Sequence, residues 1–349
     1  VTRQTWTAFT AAVAFIAAAV LMVVIPVPFV SWSPGTVQDT LGQVQGQPVI
    51  RVSGIQTFPT RGRLDLTTVS ETRPDSRLTL PEALLSYFLP HRDVLPRAAI
   101  YPPGVSADQV RTEQTENMET SQSDAVVAAL RQAGQPVTER LAVSSVTVGG
   151  PAYRKLQPGD LLLSVDGARA TTAEDVQQAI RSRKAGSTLT FVVLRDRSRR
   201  VSVRVTSETT GPNSITPVVG IGIGVGYQYA PDISFDLGED IGGPSAGLVF
   251  SLAIYDKITP GALLAGRHVA GTGTIDASGQ VGPIGGIQEK IAGAQDAGAT
   301  VFLVPAPNCG DLDGVSTSMS LVKVGTLAEA VSALQSLDAG TAPAKLPRC

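Results

Sequence analysis

The chain has 349 residues, 43% of them hydrophobic and 17% charged, with a formal net charge of -2. That length accommodates about two globular domains beside one membrane segment, and the near-neutral balance leaves no electrostatic footprint for a nucleic-acid partner. Two cysteines, Cys309 and Cys349, and two histidines, His91 and His268, are too few and too dispersed for a structural zinc site. No G-x-x-x-x-G-K-[ST] phosphate loop occurs, so neither a metal, a cofactor nor a nucleotide is expected.

No charged residue stands between Arg3 and Asp39, and residues 8–30 form an almost unbroken apolar run, long enough to cross a hydrocarbon core as a helix. Pro26 and Pro28 fall at its far end, where a helix stops without an interior cost. A cleaved secretory signal is the alternative. The run exceeds a signal core and has no clear small-x-small site before the prolines, which favours a retained anchor. Arg3 is the only charge on the short leading side, so the positive-inside bias places the body outside the cytoplasm of a single-pass cell-membrane protein.

Beyond the anchor, residues 31–118 carry short apolar runs and many turns. Residues 63–69 alternate as a strand and 81–89 read as a short helix, without assignable chemistry. Residues 121–133 read as an amphipathic helix closed by Gly134 and Pro136. A β-β-α-β-β rhythm occupies residues 141–206, with a strand at 141–146, a strand at 161–165 ending in the Asp166-Gly167 hairpin signal, a helix at 173–183, and strands at 189–194 and 201–205. Arg195, Arg197, Arg199 and Arg200 form a basic run, either a phosphate patch or a solvated hairpin; alternation with Val201, Val203 and Val205 favours the hairpin.

The string G-G-P-A-x(3)-L-x-P-G-D-x-L-L-x-V-D-G at residues 149–167 resembles a bacterial PDZ domain. The resemblance implies that an extended peptide adds as a strand, its carboxylate met by backbone N–H groups. The groove would lie between the first strand, with Leu141, Ala142 and Val143, and the helix bearing Val176 and Ile180. Filling a small core is the other use of these side chains. Gly211-Pro212-Asn213 reads as a linker, and residues 218–229 alternate Gly with Ile, Val and Tyr like a strand that permits close backbone approach.

Ile241-Gly242-Gly243-Pro244-Ser245-Ala246-Gly247 precedes an apolar run at 248–255 suited to a buried helix. Ser245 thus stands near a helix N-terminus, where free N–H groups and the positive dipole end would face an oxyanion. An ordinary N-cap serine is the competing use. Gly282-Pro283-Ile284-Gly285-Gly286 leads into a second helix, from Ile287 to about residue 298. At about 100° per residue, Ile287, Ile291, Ala294 and Gly298 share one arc, Glu289 lies opposite, and Lys290 falls beside the arc. A lysine there either snorkels to water or is held in a partly apolar site. Desolvation would then lower its pKa from about 10.4 toward about 7–8, and the neutral amine can accept a hydroxyl proton.

In this order, G-P-S-A-G, T-G-T-I and G-x-V-x-P-I-G-G-I-x-E-K resemble the proteolytic domain of Lon-type peptidases over residues 218–334. The resemblance implies Ser245 as nucleophile, Lys290 as general base and Thr272 as the hydroxyl that helps to orient the lysine, with the oxyanion held by the backbone N–H groups of Ser245 and Ala246. With the anchor and the PDZ-like stretch, the architecture resembles the membrane-bound PDZ–Lon proteases of bacteria. Larger ATP-driven members often carry Asp three residues before the serine, where this chain has Gly242, with Asp240 two further back; they often carry Lys where it has Gln288. Their ATPase module has no counterpart here, so substrate delivery must differ.

The expected fold is α+β and multidomain. A cytoplasmic stub and transmembrane anchor occupy 1–30, an extracytoplasmic region of unknown role 31–120, and a PDZ-like β-rich domain with a leading helix 121–210. A Lon-type α+β proteolytic domain follows at 211–335, and a tail at 336–349. Expected partners are protein or peptide substrates and the membrane; family habit adds a homo-oligomeric ring. In an oxidising compartment Cys309 and Cys349 could pair, which is the favoured reading; two free thiols are the alternative. Two rival readings remain open. Gly243-x-Ser245-x-Gly247 also fits a nucleophile elbow, which would need a strand entering the turn and then an acid and a histidine in order; Gly238-Glu239-Asp240 precedes it, and the only later histidine is His268. Alternatively, the chain is a PDZ adaptor whose protease-like domain only binds.

Overall fold

The structure is a computed structural model that describes residues 2–209, 211, 214–237 and 241–349. Pro212 and Asn213 of the expected linker, and Gly238, Glu239 and Asp240, lie outside the described residues. Two compact units result: Val1–Ala133 with Ile233–Cys349, and Gly134–Asp232.

The chain opens with α1 (Arg3–Val24), which no part of the protein buries and which is long and apolar enough to span a membrane. It stops ahead of Pro26, as a residue without an N–H requires. Next come β1 (Phe29–Asp39), β2 (Arg63–Glu71), α2 (Leu80–Phe88) and β3 (Asp93–Pro96). β1 runs antiparallel to both β2 and β3. Helix α3 (Ala107–Gln132) is twice the expected length, because its first half is polar and exposed and carries no apolar periodicity; only its second half, Ala125 to Leu130, is continuously buried.

The second unit is one antiparallel sheet and a helix: β4 (Thr138–Val146), β5 (Leu161–Val165), α4 (Ala173–Arg181), β6 (Thr188–Arg195), β7 (Arg199–Thr206) and β8 (Ile221–Gln228), in the order β7-β6-β5-β4-β8. The basic run forms the hairpin of β6 and β7. Arg195 closes a two-pronged ion pair on the buried Asp160, at 2.8 and 2.7 Å. Val143, Val176 and Ile180 sit in the core of this unit, and Ala142 in a smaller cluster with Leu161 and Leu194. β4 is paired on both sides, by β5 and along its whole length by β8. The groove expected beside Leu141, Ala142 and Val143 is therefore filled by the protein's own strand. The outer strands of this sheet are β7 and β8.

The chain then re-enters the first unit through α5 (Gly247–Ile258), β9 (His268–Gly271), α6 (Ile287–Asp296), β10 (Val301–Pro305), β11 (Ser320–Val324) and α7 (Leu327–Asp338). A six-stranded mixed sheet, β11-β10-β9-β2-β1-β3, unites the early and late segments. Ala270, Phe302 and Val304 face Ile287 and Ile291 of α6. Neighbouring Gly271 lies against Val249 of α5, so alternation along the strand puts the two helices on opposite faces. Sandwiched this way, β10 is buried at every residue.

These boundaries differ from the expected ones. Residues 31–120 are no separate region, since β2 pairs with β9 in parallel, Leu64 opposite Val269, about two hundred positions away. Nor is the end a loose tail. Residue 335 falls inside α7, Lys323 N donates to Pro347 O at 2.9 Å, and Cys349 is bonded to Cys309. Closing a loop with a sequence separation of 40 stabilises by at most about 4 kcal/mol in the chain-entropy picture. The Cys309→Ser/Cys349→Ser variant should therefore melt several degrees below the parent in a calorimetric scan; an unchanged Tm would contradict this.

Candidate active site

Five segments, separated in sequence, converge on one cleft of about 1360 Å³ whose walls include Trp32, Val69, Gln114, Ser245 and Lys290. The segment 241–246 reaches α5 through a turn held from α3: Gln114 O accepts from Gly243 N at 3.3 Å, and Ser121 Oγ donates to Pro244 O at 3.0 Å. A side chain at Gly247 would collide with Ser121 Oγ and Ile275, at 2.9 and 2.8 Å, so the first turn of α5 can press against α3 only without a Cβ. Across the cleft α6 begins at Gly286, which has φ +66° and lies under Trp32 and Val69; a Cβ there would stand 2.5 Å from Val69 Cγ2. This glycine turn aims Lys290, one turn later, back toward Ser245.

Lys290 Nζ donates to Ser245 Oγ at 2.8 Å and lies 3.3 Å from Thr272 Oγ1. Thr272 Oγ1 in turn donates to Ser245 O at 3.1 Å, and Gly273 N to the same carbonyl at 2.9 Å. The structure thus brings Ser245, Thr272 and Lys290 together. Among the described residues no protein acceptor takes the N–H of Ser245 or Ala246. Lys290 and Thr272 are buried, and burial drives the ammonium down to about 8, with Glu289 acting weakly the other way.

Glu289 departs from expectation. The helical arc puts it opposite the apolar face, toward water, yet it is only 2% exposed, because the start of α6 is covered by β1, β2 and β3 as well as by its own core. Burial pushes its carboxyl up to about 7, and the carboxylate of Asp93 on β3 adds to the rise. His268 is not brought to Ser245. Its Nε2 lies 2.6 Å from Asp65 Oδ2 in the sheet, which removes the geometric basis of a Ser–His pair. His91 sits in an exposed turn after α2. Trp32, Val69, Gln114 and Ser121 escape sequence reasoning, because nothing local ties them to a serine more than a hundred residues away.

Residues 240–335 match the Lon protease (S16) C-terminal proteolytic domain, and residues 110–206 match the PDZ domain. The chain carries a Lon-type proteolytic domain and a PDZ domain. Over 77 residues it is 42% identical to Lon protease 2 of Herpetosiphon aurantiacus, covering 22% of this chain and 9% of that one. Over 94 residues it is 40% identical to the Lon protease of Chloroflexus aurantiacus, covering 26% and 11%. The matched segment thus spans about a tenth of these relatives' length. Among solved structures, the PDZ domain of an SdrC-like protein from Listeria monocytogenes is 24% identical, covers 24% of this chain and 86% of that one, and has a TM-score of 0.22. The PDZ match ends before β8, although β8 completes the sheet, and it begins on α3, which belongs to the first unit.

A lysine held near 8 in the fold, against 10.5 when unfolded, resists protonation more in the native state. Between those values the unfolded chain binds the extra proton, so this contribution to stability rises with pH and the penalty is full below about 8. Lys290→Met, which keeps the shape without the charge, should stabilise the protein at neutral pH on the order of 3 kcal/mol, and the gap should close toward pH 10 or so. A gap that does not change with pH in thermal melts would contradict the assignment.

Proposed function

We propose that the protein is a membrane-anchored, ATP-independent serine endopeptidase working through a Ser245–Lys290 dyad. The observation that carries this is the 2.8 Å contact between a hydroxyl and a buried amine of lowered pKa. In its neutral form Lys290 accepts the Ser245 proton while Oγ adds to a peptide carbonyl. The N–H groups of Ser245 and Ala246 receive the oxyanion at the entrance to α5. As the C–N bond breaks, the Lys290 ammonium returns its proton to the departing amine. A water then repeats the sequence on the acyl-enzyme, again with Lys290 as base. Thr272 is a positioning residue: it ties the amine to the Ser245 carbonyl and limits its rotation.

Anchoring rests on α1, and an extracytoplasmic catalytic unit agrees with the Cys309–Cys349 bond, since disulfides persist in oxidising compartments. For peptide recognition by the PDZ domain, an outer strand of its sheet, β7 or β8, is where strand addition would take place. No phosphate-loop motif accompanies the domain in this sequence.

Ser245→Ala should abolish turnover of an unfolded protein substrate. Lys290→Ala should cost a factor of about 10²–10⁴ in kcat, with the fold kept in both. Since the neutral amine is the working form, kcat/KM should climb as pH passes about 8. Parent-like rates in either variant would contradict the dyad; no turnover by the parent, with a serine-reactive probe failing to label Ser245, would leave a binding module rather than an enzyme.

A further inference from the structure

Helix α2 is inside out. At about 100° per residue, Tyr87, Leu80, Leu84, Phe88, Pro81 and Leu85 occupy one continuous arc of about 160° without a charge among them. That arc faces outward, with Leu85 60%, Tyr87 70% and Phe88 77% exposed, while the protein buries only the small Ala83 and Ser86 behind it. A capping box between Thr79 and Glu82 holds the helix despite its shortness.

Its place in the fold says what covers that face. Val27 N donates to Leu78 O at 2.8 Å and Pro26 bridges to Thr79, so α2 starts directly beside the end of α1. Leu80 shares an apolar hollow with Ala18, Leu21, Met22, Ile25 and Val27. The start of α2 therefore stands level with the last two turns of the apolar helix rather than beyond it. The Tyr87 and Phe88 rings meet edge to face at the far end, and the exposed Arg77, His91 and Arg92 flank the helix. An apolar face bordered by aromatic and basic residues is the pattern of a helix lying in a bilayer interface.

We infer that α2 is a second membrane contact, lying in the headgroup–acyl boundary of the leaflet where α1 emerges. This rests on the reading of α1 as a membrane span. β3 follows α2 and pairs with β1, Pro96 opposite Phe29 and Asp93 opposite Trp32. An embedded α2 therefore fixes one end of the strand pair that carries Trp32 into the cleft wall, and holds the cleft near the lipid surface rather than free on a tether.

The test uses the full chain in lipid vesicles, with a single environment-sensitive fluorophore on an introduced thiol; the native cysteines are already paired. The positions are Phe88→Cys in α2, Val13→Cys at the middle of α1 and Ser332→Cys, exposed on α7 beside β11 at the other end of the sheet. Expected is several-fold stronger quenching at position 88 by a nitroxide placed near the headgroup than by one deep in the acyl chains, the opposite order at position 13, and none at 332. Quenching at 13 with none at 88 overturns the inference and leaves the anchor standing. A blue shift at 88 without lipid quenching also overturns it, and assigns the face to a second copy of the chain. No quenching at either position removes the anchor and this inference together.

Discussion

A single ammonium group excluded from water sets the terms for the rest of this structure. Lys290 leaves α6 where β1, β2 and the Trp32 ring close over the helix start, and its buried side chain meets the Ser245 hydroxyl at 2.8 Å in the cleft wall. Burial of a charge is costly unless the charge is given up or paired, and the adjacent carboxyl offers little pairing, since burial and Asp93 raise Glu289 toward neutrality as well. Two groups that would attract each other in water are thus both pushed toward their uncharged forms. The glycines at 247 and 286 serve this arrangement by letting two helices and a strand pair approach more closely than any Cβ would permit.

This environment is assembled from parts of the chain that sequence places far apart. Trp32 and Val69 come from the first two strands, Gln114 and Ser121 from the long helix, Ser245 and Lys290 from the last third. The second unit is inserted between them, so the unit that holds the site is discontinuous. The strand that brings Trp32 to the cleft also begins five residues after the apolar helix, which couples the position of the site to the position of the anchor.

What was legible followed from how local each signal is. The Ser245, Thr272 and Lys290 motifs are short strings bounded by glycine and proline turns, and the structure holds them within hydrogen-bond reach as the resemblance implies. The apolar helix, the β6–β7 hairpin and α4 were readable for the same reason. Residues 31–120 were not, because the partner of β2 lies about two hundred positions later, and no window of local periodicity spans that distance. Glu289 was misplaced because an arc argument assumes one buried face, whereas the start of α6 is covered on both. The groove beside β4 failed for a topological reason: β8 arrives after the recognisable PDZ pattern has ended and takes that edge for itself. Val176 and Ile180 then serve as core.

The account depends on the Lys290 amine being uncharged for a substantial fraction of the time near neutral pH. The direct measurement is the titration of that one amine in the folded chain, by NMR of lysine labelled at the ε position and assigned by comparison with Lys290→Met. A midpoint near 8 is predicted. A midpoint at the ordinary lysine value of about 10.4 would mean that the group is a solvated cation, and the proposed role of Lys290 as base would fall.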